Sequence, residues 1–288
     1  MFKVHFLRIL CFLIPSLSTF SSNSSKLNFN PQKAIDFWNY EVASYCAPSY
    51  LTIWDISTIS AASPNVIDIE VIQNETTQVF GYTAYDADKN LAYLSFRGTI
   101  SSITDWMNNL DMFKEPITTY CDGCEVHSGF WKNYLSIKDN VKDAVLRIKE
   151  KHQDAEFAFI GHSMGSALAT FAFIDLYEEV HPDYFYTFEM PRMGNKEFAD
   201  FMDANFQDIL KVRITHYKDI IPRGPLTSMG YYHFKNEVFY SEDCSSYVIC
   251  TGDEDPSCIN QFSLLNFSIN DHRTLFGINM HEFKNTCN

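Results

Sequence analysis

Positive charge is scarce in this chain: 22 lysines and arginines stand against 36 acids, a formal net charge of −14 at pH 7. An acidic surface of that size repels phosphate backbones, so nucleic acid is not an expected partner. It also disfavours attraction to anionic lipid, while leaving hydrophobic contact with a neutral surface open. Beyond the amino terminus no apolar run is long enough to cross a bilayer. Histidines do not cluster, and Cys121-Asp-Gly-Cys124 has no second pair to complete a zinc site, so no metal and no cofactor are expected. A small structural disulfide is the better reading of that pair. Linkers, internal repeats and low-complexity tracts are missing too, apart from a Ser/Asn-rich stretch at 21–30. Core-forming material is abundant: 46% of the 288 residues are hydrophobic and 16% aromatic, enough for one sizeable α/β domain.

The amino terminus carries Lys3 and Arg8 ahead of a short apolar stretch, followed by small and polar residues through Ser25. This is the pattern of a cleaved secretory signal, too short for a membrane span. Cleavage between Ser18 and Ser25 is expected, giving a signal over 1–22 and a mature domain over 23–288, in a secreted or vacuolar protein. With Cys11 in the signal, the mature chain keeps Cys46, Cys121, Cys124, Cys244, Cys250, Cys258 and Cys287. An odd number leaves one free or bonded to another chain. Asn23, Asn74 and Asn266 each open an Asn-x-Ser/Thr glycosylation acceptor.

Hydrophobic periodicity predicts a helix over 34–45, with Ile35, Trp38, Val42 and Tyr45 on one face, and another over 133–152. Residues 78–85 and 91–96 read as strands joined by the hairpin signal at 86–90. Strands over 184–188 and 211–217 bracket a helix near 196–206. The order βββαβαβαβ implies a largely parallel sheet with helices on both faces.

The most informative segment is 156–174. An apolar strand feeds Gly161-His162-Ser163-Met164-Gly165, and a small-residue, apolar helix leaves it. A Gly-x-Ser-x-Gly turn in that context lifts one serine out at a sharp strand-to-helix corner, over free helix N–H groups. A serine hydroxyl needs a base, and the base an orienting acid, in the chain order Ser, Asp/Glu, His. Asp219 lies where the strand at 211–217 runs into a proline-terminated loop. For the base, His233, His272 and His281 remain, with His272 on a polar loop favoured over His281.

These residues resemble the class 3 (fungal-type) triacylglycerol lipases of the α/β-hydrolase superfamily. The resemblance rests on seven motifs in order: Phe96-Arg97-Gly98-Thr99 followed by Asp105-Trp106; Cys121-Asp-Gly-Cys124 continuing to His127 and Phe130; the 161–165 elbow; Thr187-Phe-Glu-Met-Pro191-Arg192 to Asn195; Arg213 to Asp219 and Pro222; Gly230-Tyr-Tyr-His233; and Asp271-His272. It implies a single α/β-hydrolase domain with a lid helix. Ser163 would be the nucleophile, Asp219 the acid and His272 the base, with Thr99 and the Met164 N–H as oxyanion donors. His127, His162 and His233 are read as supporting residues. The implied activity is hydrolysis of acylglycerol esters at an oil–water or membrane interface. A base that must be neutral predicts activity falling below about pH 6, where an unperturbed histidine protonates.

Ile103, Trp106, Met107 and Leu110 recur at i, i+3, i+4 and i+7, one apolar stripe on a short helix. The resemblance puts a lid there, and interfacial activation with it. It also implies the disulfides Cys46–Cys287, Cys121–Cys124 and Cys250–Cys258, leaving Cys244 over; Cys244 bonded to Cys250 or Cys258 is the alternative. The chain departs from the family at Glu189, where glycine is usual. Two rivals share the residues: a phospholipase, galactolipase or feruloyl-type esterase of the same mechanism, and a non-catalytic lipid-binding member.

Overall fold

The computed structural model describes residues 27–100 and 113–287. The expected signal segment and the expected lid stripe of Ile103, Trp106, Met107 and Leu110 lie outside the described residues. Strands are numbered along the chain: β1 (Val66–Asn74), β2 (Val79–Asp86), β3 (Leu91–Phe96), β4 (Lys114–Pro116), β5 (Glu125–His127), β6 (Glu156–His162), β7 (Tyr184–Phe188), β8 (Leu210–His216), β9 (Glu237–Tyr240) and β10 (Tyr247–Cys250). Eight of them form one sheet in the order β1-β2-β3-β6-β7-β8-β9-β10, and β4 pairs with β5 separately. From β3 to β9 neighbours are parallel, while β1-β2-β3 and β9-β10 are antiparallel.

The central strands are nearly continuous apolar runs because both faces of the sheet are covered. Ala92, Leu94, Phe96, Phe157, Phe159 and Phe185 pack on the side holding the helices Lys138–Lys151, Met164–Val180 and Lys196–Asn205. Their alternates Tyr93, Ala158, Ile160, Tyr186 and Phe188 pack on the other side against the helix Pro31–Ala43 and the carboxyl-terminal tail. Helix Met164–Val180 is apolar around almost its whole circumference, which suits a helix buried on most sides. The register aligns Phe96 with Gly161, His162 with Phe188 and Phe188 with Ile214. The carboxyl ends of β3, β6, β7 and β8 therefore finish together, and their following loops share one rim, where open α/β sheets bind ligands.

Two expectations need correction. The helix expected over 133–152 is two helices, Ser128–Leu135 and Lys138–Lys151. At the break Ile137 N–H bonds tightly to the Tyr134 carbonyl, and the turn buries Ile137 while leaving Leu135 exposed. The first of these helices starts earlier than periodicity suggested because the His127 imidazole caps it, accepting from the Gly129 and Phe130 N–H groups. The first helix ends at Ala43 rather than 45, which turns Tyr45 out of the helical face.

Among the described residues three disulfides join Cys46 to Cys287, Cys121 to Cys124 and Cys250 to Cys258, and Cys244 is a free thiol. The first spans 241 residues and ties the amino-terminal helix to the tail beneath the sheet. In the chain-entropy description a loop of that length restrains the unfolded chain by up to about 5 kcal/mol, whereas a three-residue loop restrains it little. A Cys46→Ser/Cys287→Ser protein is expected to lose about 3 kcal/mol and roughly 5–10 °C of Tm in thermal unfolding. The same change at Cys121 and Cys124 should cost less than half as much, and equal losses would contradict the assignment of the stabilisation to loop length.

Candidate active site

Ser163 sits at the corner between β6 and the helix Met164–Val180, with φ 54° and ψ −128°. A left-handed non-glycine residue costs about 1–3 kcal/mol, so the surroundings must hold it. They do so through Ser163 N–H, which donates to the Phe188 carbonyl at 2.9 Å. The corner also demands its two glycines. A Cβ on Gly161 would lie 2.5 Å from the Gly165 carbonyl oxygen, and one on Gly165 would lie 2.0 Å from that of Phe96. Met164 opens the helix, so its N–H has no intrahelical acceptor. Thr99, three residues past the β3 strand end after Arg97 and Gly98, brings its hydroxyl to 3.8 Å from Met164 Sδ. The two residues expected as oxyanion donors are thus in contact.

Asp219 follows β8 and is fully buried, as is His272 on the short helix Ile269–Arg273. His272 Nδ1 lies 2.6 Å from Asp219 Oδ2. A carboxylate can only accept, so Nδ1 carries the proton and Nε2 is left with a lone pair. Asp219 Oδ1 accepts from Ile221 N–H at 2.8 Å. A β-bridge to Ser268 pins the segment that carries His272 to the one that carries Asp219.

His162 connects these parts. Its Nε2 faces the His272 carbonyl at 3.0 Å and must donate to it, so Nδ1 accepts from the Tyr45 hydroxyl at 2.6 Å. The Tyr45 oxygen in turn accepts from Gly98 N–H at 2.8 Å. One imidazole thereby ties the elbow to the Thr99 segment and to the backbone of His272. Burial, aided by the neighbouring His272, holds His162 well below the usual histidine range and keeps it neutral. Ser163 is flanked on one side by this histidine and on the other by Met164.

The loop after Asp219 is fixed from below. Arg192 donates to the Arg223 carbonyl at 2.6 Å and to that of Pro225 at 3.0 Å, and forks onto both carboxylate oxygens of Glu254 at 2.8 and 2.6 Å. Burial works against the Glu254 charge, but these Arg192 bonds outweigh it and hold the carboxyl down at about 2. His233 donates from Nε2 to the Pro222 carbonyl, and burial together with Arg213 keeps it neutral. His127 and His233 are therefore bound into the frame, the first as a helix cap and the second under the Asp219 loop. His281 shares a cleft with Tyr45, Thr99, His272, Arg273 and Lys284 but makes no bond to Asp219.

Glu189 follows β7 on the same rim, with φ 50° and 1% exposure. Burial first, and then the facing Asp219 carboxyl, push it well above the usual carboxylate range. Sequence reasoning flagged this residue as unusual but missed Tyr45 altogether. On the apolar stripe Ile35-Trp38-Val42-Tyr45 it looked like core, and only its hydroxyl could have hinted otherwise. Among the described residues no group of histidine, cysteine and acidic side chains could hold a metal ion.

Residues 93–229 match the model of the family described as "Lipase (class 3)". The secreted mono- and diacylglycerol lipase A of Penicillium cyclopium is 30% identical over 213 residues, 70% of this chain and 68% of that one. The solved lipase from Rhizopus microsporus var. chinensis superposes with a TM-score of 0.77 at 28% identity, covering 86% of this chain and 87% of its own. Lipase II from Rhizopus niveus gives 0.79 at 26% identity, covering 86% and 94%. With an eight-stranded, mostly parallel sheet bearing a serine elbow, the chain belongs to the class 3 lipases, carboxylic ester hydrolases of the α/β-hydrolase fold.

Proposed function

We propose that this chain is a secreted hydrolase of acylglycerol esters working through an acyl-enzyme on Ser163. The observation that carries the reading is the 2.6 Å contact between His272 and Asp219, 53 residues apart, both buried beside the elbow. His272 Nε2 takes the Ser163 proton as Oγ attacks the ester carbonyl. Met164 N–H and the Thr99 N–H and hydroxyl receive the charge on the tetrahedral oxygen. His272 then gives its proton to the departing glycerol oxygen, leaving the acyl group on Ser163. Water, deprotonated by the same histidine, releases the fatty acid. Asp219 keeps the imidazole in the needed tautomer throughout and stabilises its cation.

An apolar substrate surface suits the rim. Leu264, Leu265 and Phe267 are 46%, 94% and 50% exposed on the segment that runs into Ser268, the residue bridged to Asp219. Ile100 and Phe113, 43% and 76% exposed, stand on either side of the proposed lid. Its stripe of Ile103, Trp106, Met107 and Leu110 would exchange contact with the protein for contact with oil. A phospholipid is the second reading, favoured by Arg273 and Lys284 in a cleft whose lining, among the described residues, includes no acid.

Ser163→Ala and His272→Ala are each expected to lower ester hydrolysis more than 10³-fold without loss of fold, since such groups act as a unit. Triolein, phosphatidylcholine and a feruloyl ester as substrates separate the readings; turnover of triolein or diolein above the others is expected. A short-chain ester should show a jump in rate at its solubility limit, and a smooth rise would sink the lid proposal. Wild-type turnover of none of these esters would favour the binding-module reading. Tyr45→Phe leaves the Gly98 N–H without its acceptor and His162 without its donor. Each lost bond is worth about 1 kcal/mol, so kcat should fall roughly tenfold with KM little changed. An unchanged kcat would remove Tyr45 from the site.

A further inference from the structure

Glu189 stands in a place that backbone and burial both oppose. Its φ of 50° lies in the left-handed region that favours glycine, and its side chain is 1% exposed. Among the described residues neither carboxyl oxygen meets a donor in hydrogen-bonding geometry. The polar groups facing it are the Asp219 carboxyl, the His216 backbone and the Cys244 thiol. Nearby cations are engaged elsewhere. Both His216 ring nitrogens face carbonyl oxygens, those of Asp271 and Glu242 at 3.1 and 3.0 Å, so neither proton is offered to Glu189. Arg223 spends its donors on the carbonyls of Asp219, Lys218, Phe262 and Ser263. Asp219, by contrast, already accepts from Ile221 N–H and His272 Nδ1–H.

An ionised carboxylate is strongly disfavoured when it is buried with no cation and only the His216 backbone N–H beside it, against a second carboxylate that already has two donors. A neutral acid is not, because its own O–H then has an acceptor. We propose that Glu189 is a protonated carboxylic acid that donates its hydrogen bond to Asp219 and so acts as a positioning residue for the hydrolytic reaction. The proton stays on Glu189 throughout. By drawing charge from Asp219, it weakens that carboxylate as an acceptor for the His272 Nδ1–H. The imidazolium is then stabilised less in the resting enzyme, and the neutral base survives to lower pH. The strain of a left-handed residue is consistent with such a role, since outliers of this kind gather at functional sites.

This proposal rests on Ser163, Asp219 and His272 being the reacting groups, and the test separates the two. Infrared difference spectra of wild type against Glu189→Gln at neutral pH read the protonation state without any turnover. A carbonyl band of a protonated carboxylic acid, present in wild type and lost in the variant, is expected; no such band means that Glu189 is ionised and overturns the proposal. The pH profile of kcat/KM reads the role. Glu189→Gly fits the backbone without strain, so its melting temperature should equal or exceed wild type, and its acid limb should move up by about half to one pH unit. Glu189→Gln can still donate through its amide and should keep the limb within about 0.3 units of wild type. A limb in Glu189→Gly that stays in place, or moves down, overturns the positioning role. Activity retained by Ser163→Ala would instead overturn the assignment of the nucleophile, leaving the infrared result to judge Glu189 by itself.

Discussion

A buried, neutral imidazole holds the candidate site of this molecule together. His162 has one donor and one acceptor, and both are committed: Nε2–H to the His272 carbonyl, Nδ1 to the Tyr45 hydroxyl. Through Tyr45 the bond passes on to Gly98 N–H, one residue before Thr99. Three segments distant in sequence are thereby fixed around Ser163 by one side chain next to it. The arrangement works only if His162 stays uncharged, because an imidazolium could not accept from Tyr45. Burial secures that, and the proximity of His272 adds to it. The sheet does the rest, since the common ending of β3, β6, β7 and β8 delivers Thr99, Ser163, Glu189 and Asp219 to one rim.

Two buried ion pairs lie below the rim. Arg192 and Glu254 form a fork that also grips the loop after Asp219, and Arg213 meets Glu237 with both side chains 1% exposed. Such pairs rarely add net stability over apolar packing, but breaking one partner is costly, so they fix loop geometry. Glu189 differs from them in having no cation. Its isolation, its left-handed backbone and its place against Asp219 are what set it apart from an ordinary loop acid.

Much of this was legible in the sequence, and for physical reasons. Strand β3 ends where its apolar run ends, and the elbow was readable because only glycine fits at 161 and 165. Asp219 and His272 came partly from chain order and partly from resemblance; residue pattern by itself left His281 open. The parts that were not legible depend on tertiary contacts. Tyr45 looked like core because its spacing matched the helix that ends before it. Strand β1 was counted in the expected order but given no bounds, because its register shifts between Ile67 and Glu70, with Asp68 at positive φ, which breaks the alternation. The break at Ser136 and Ile137 has no glycine or proline to announce it. Glu189 could be seen as odd, but its partner follows the neighbouring strand and could not be paired with it without the register of β7 against β8.

The central claim is that Ser163 is the nucleophile and His272 the group that activates it. Peptide mapping by mass spectrometry after reaction with a fluorophosphonate tests it most directly. The account predicts one adduct per chain, on the peptide containing Ser163, formed by wild type and not by His272→Ala. An adduct on another residue, or equal labelling without His272, would contradict it.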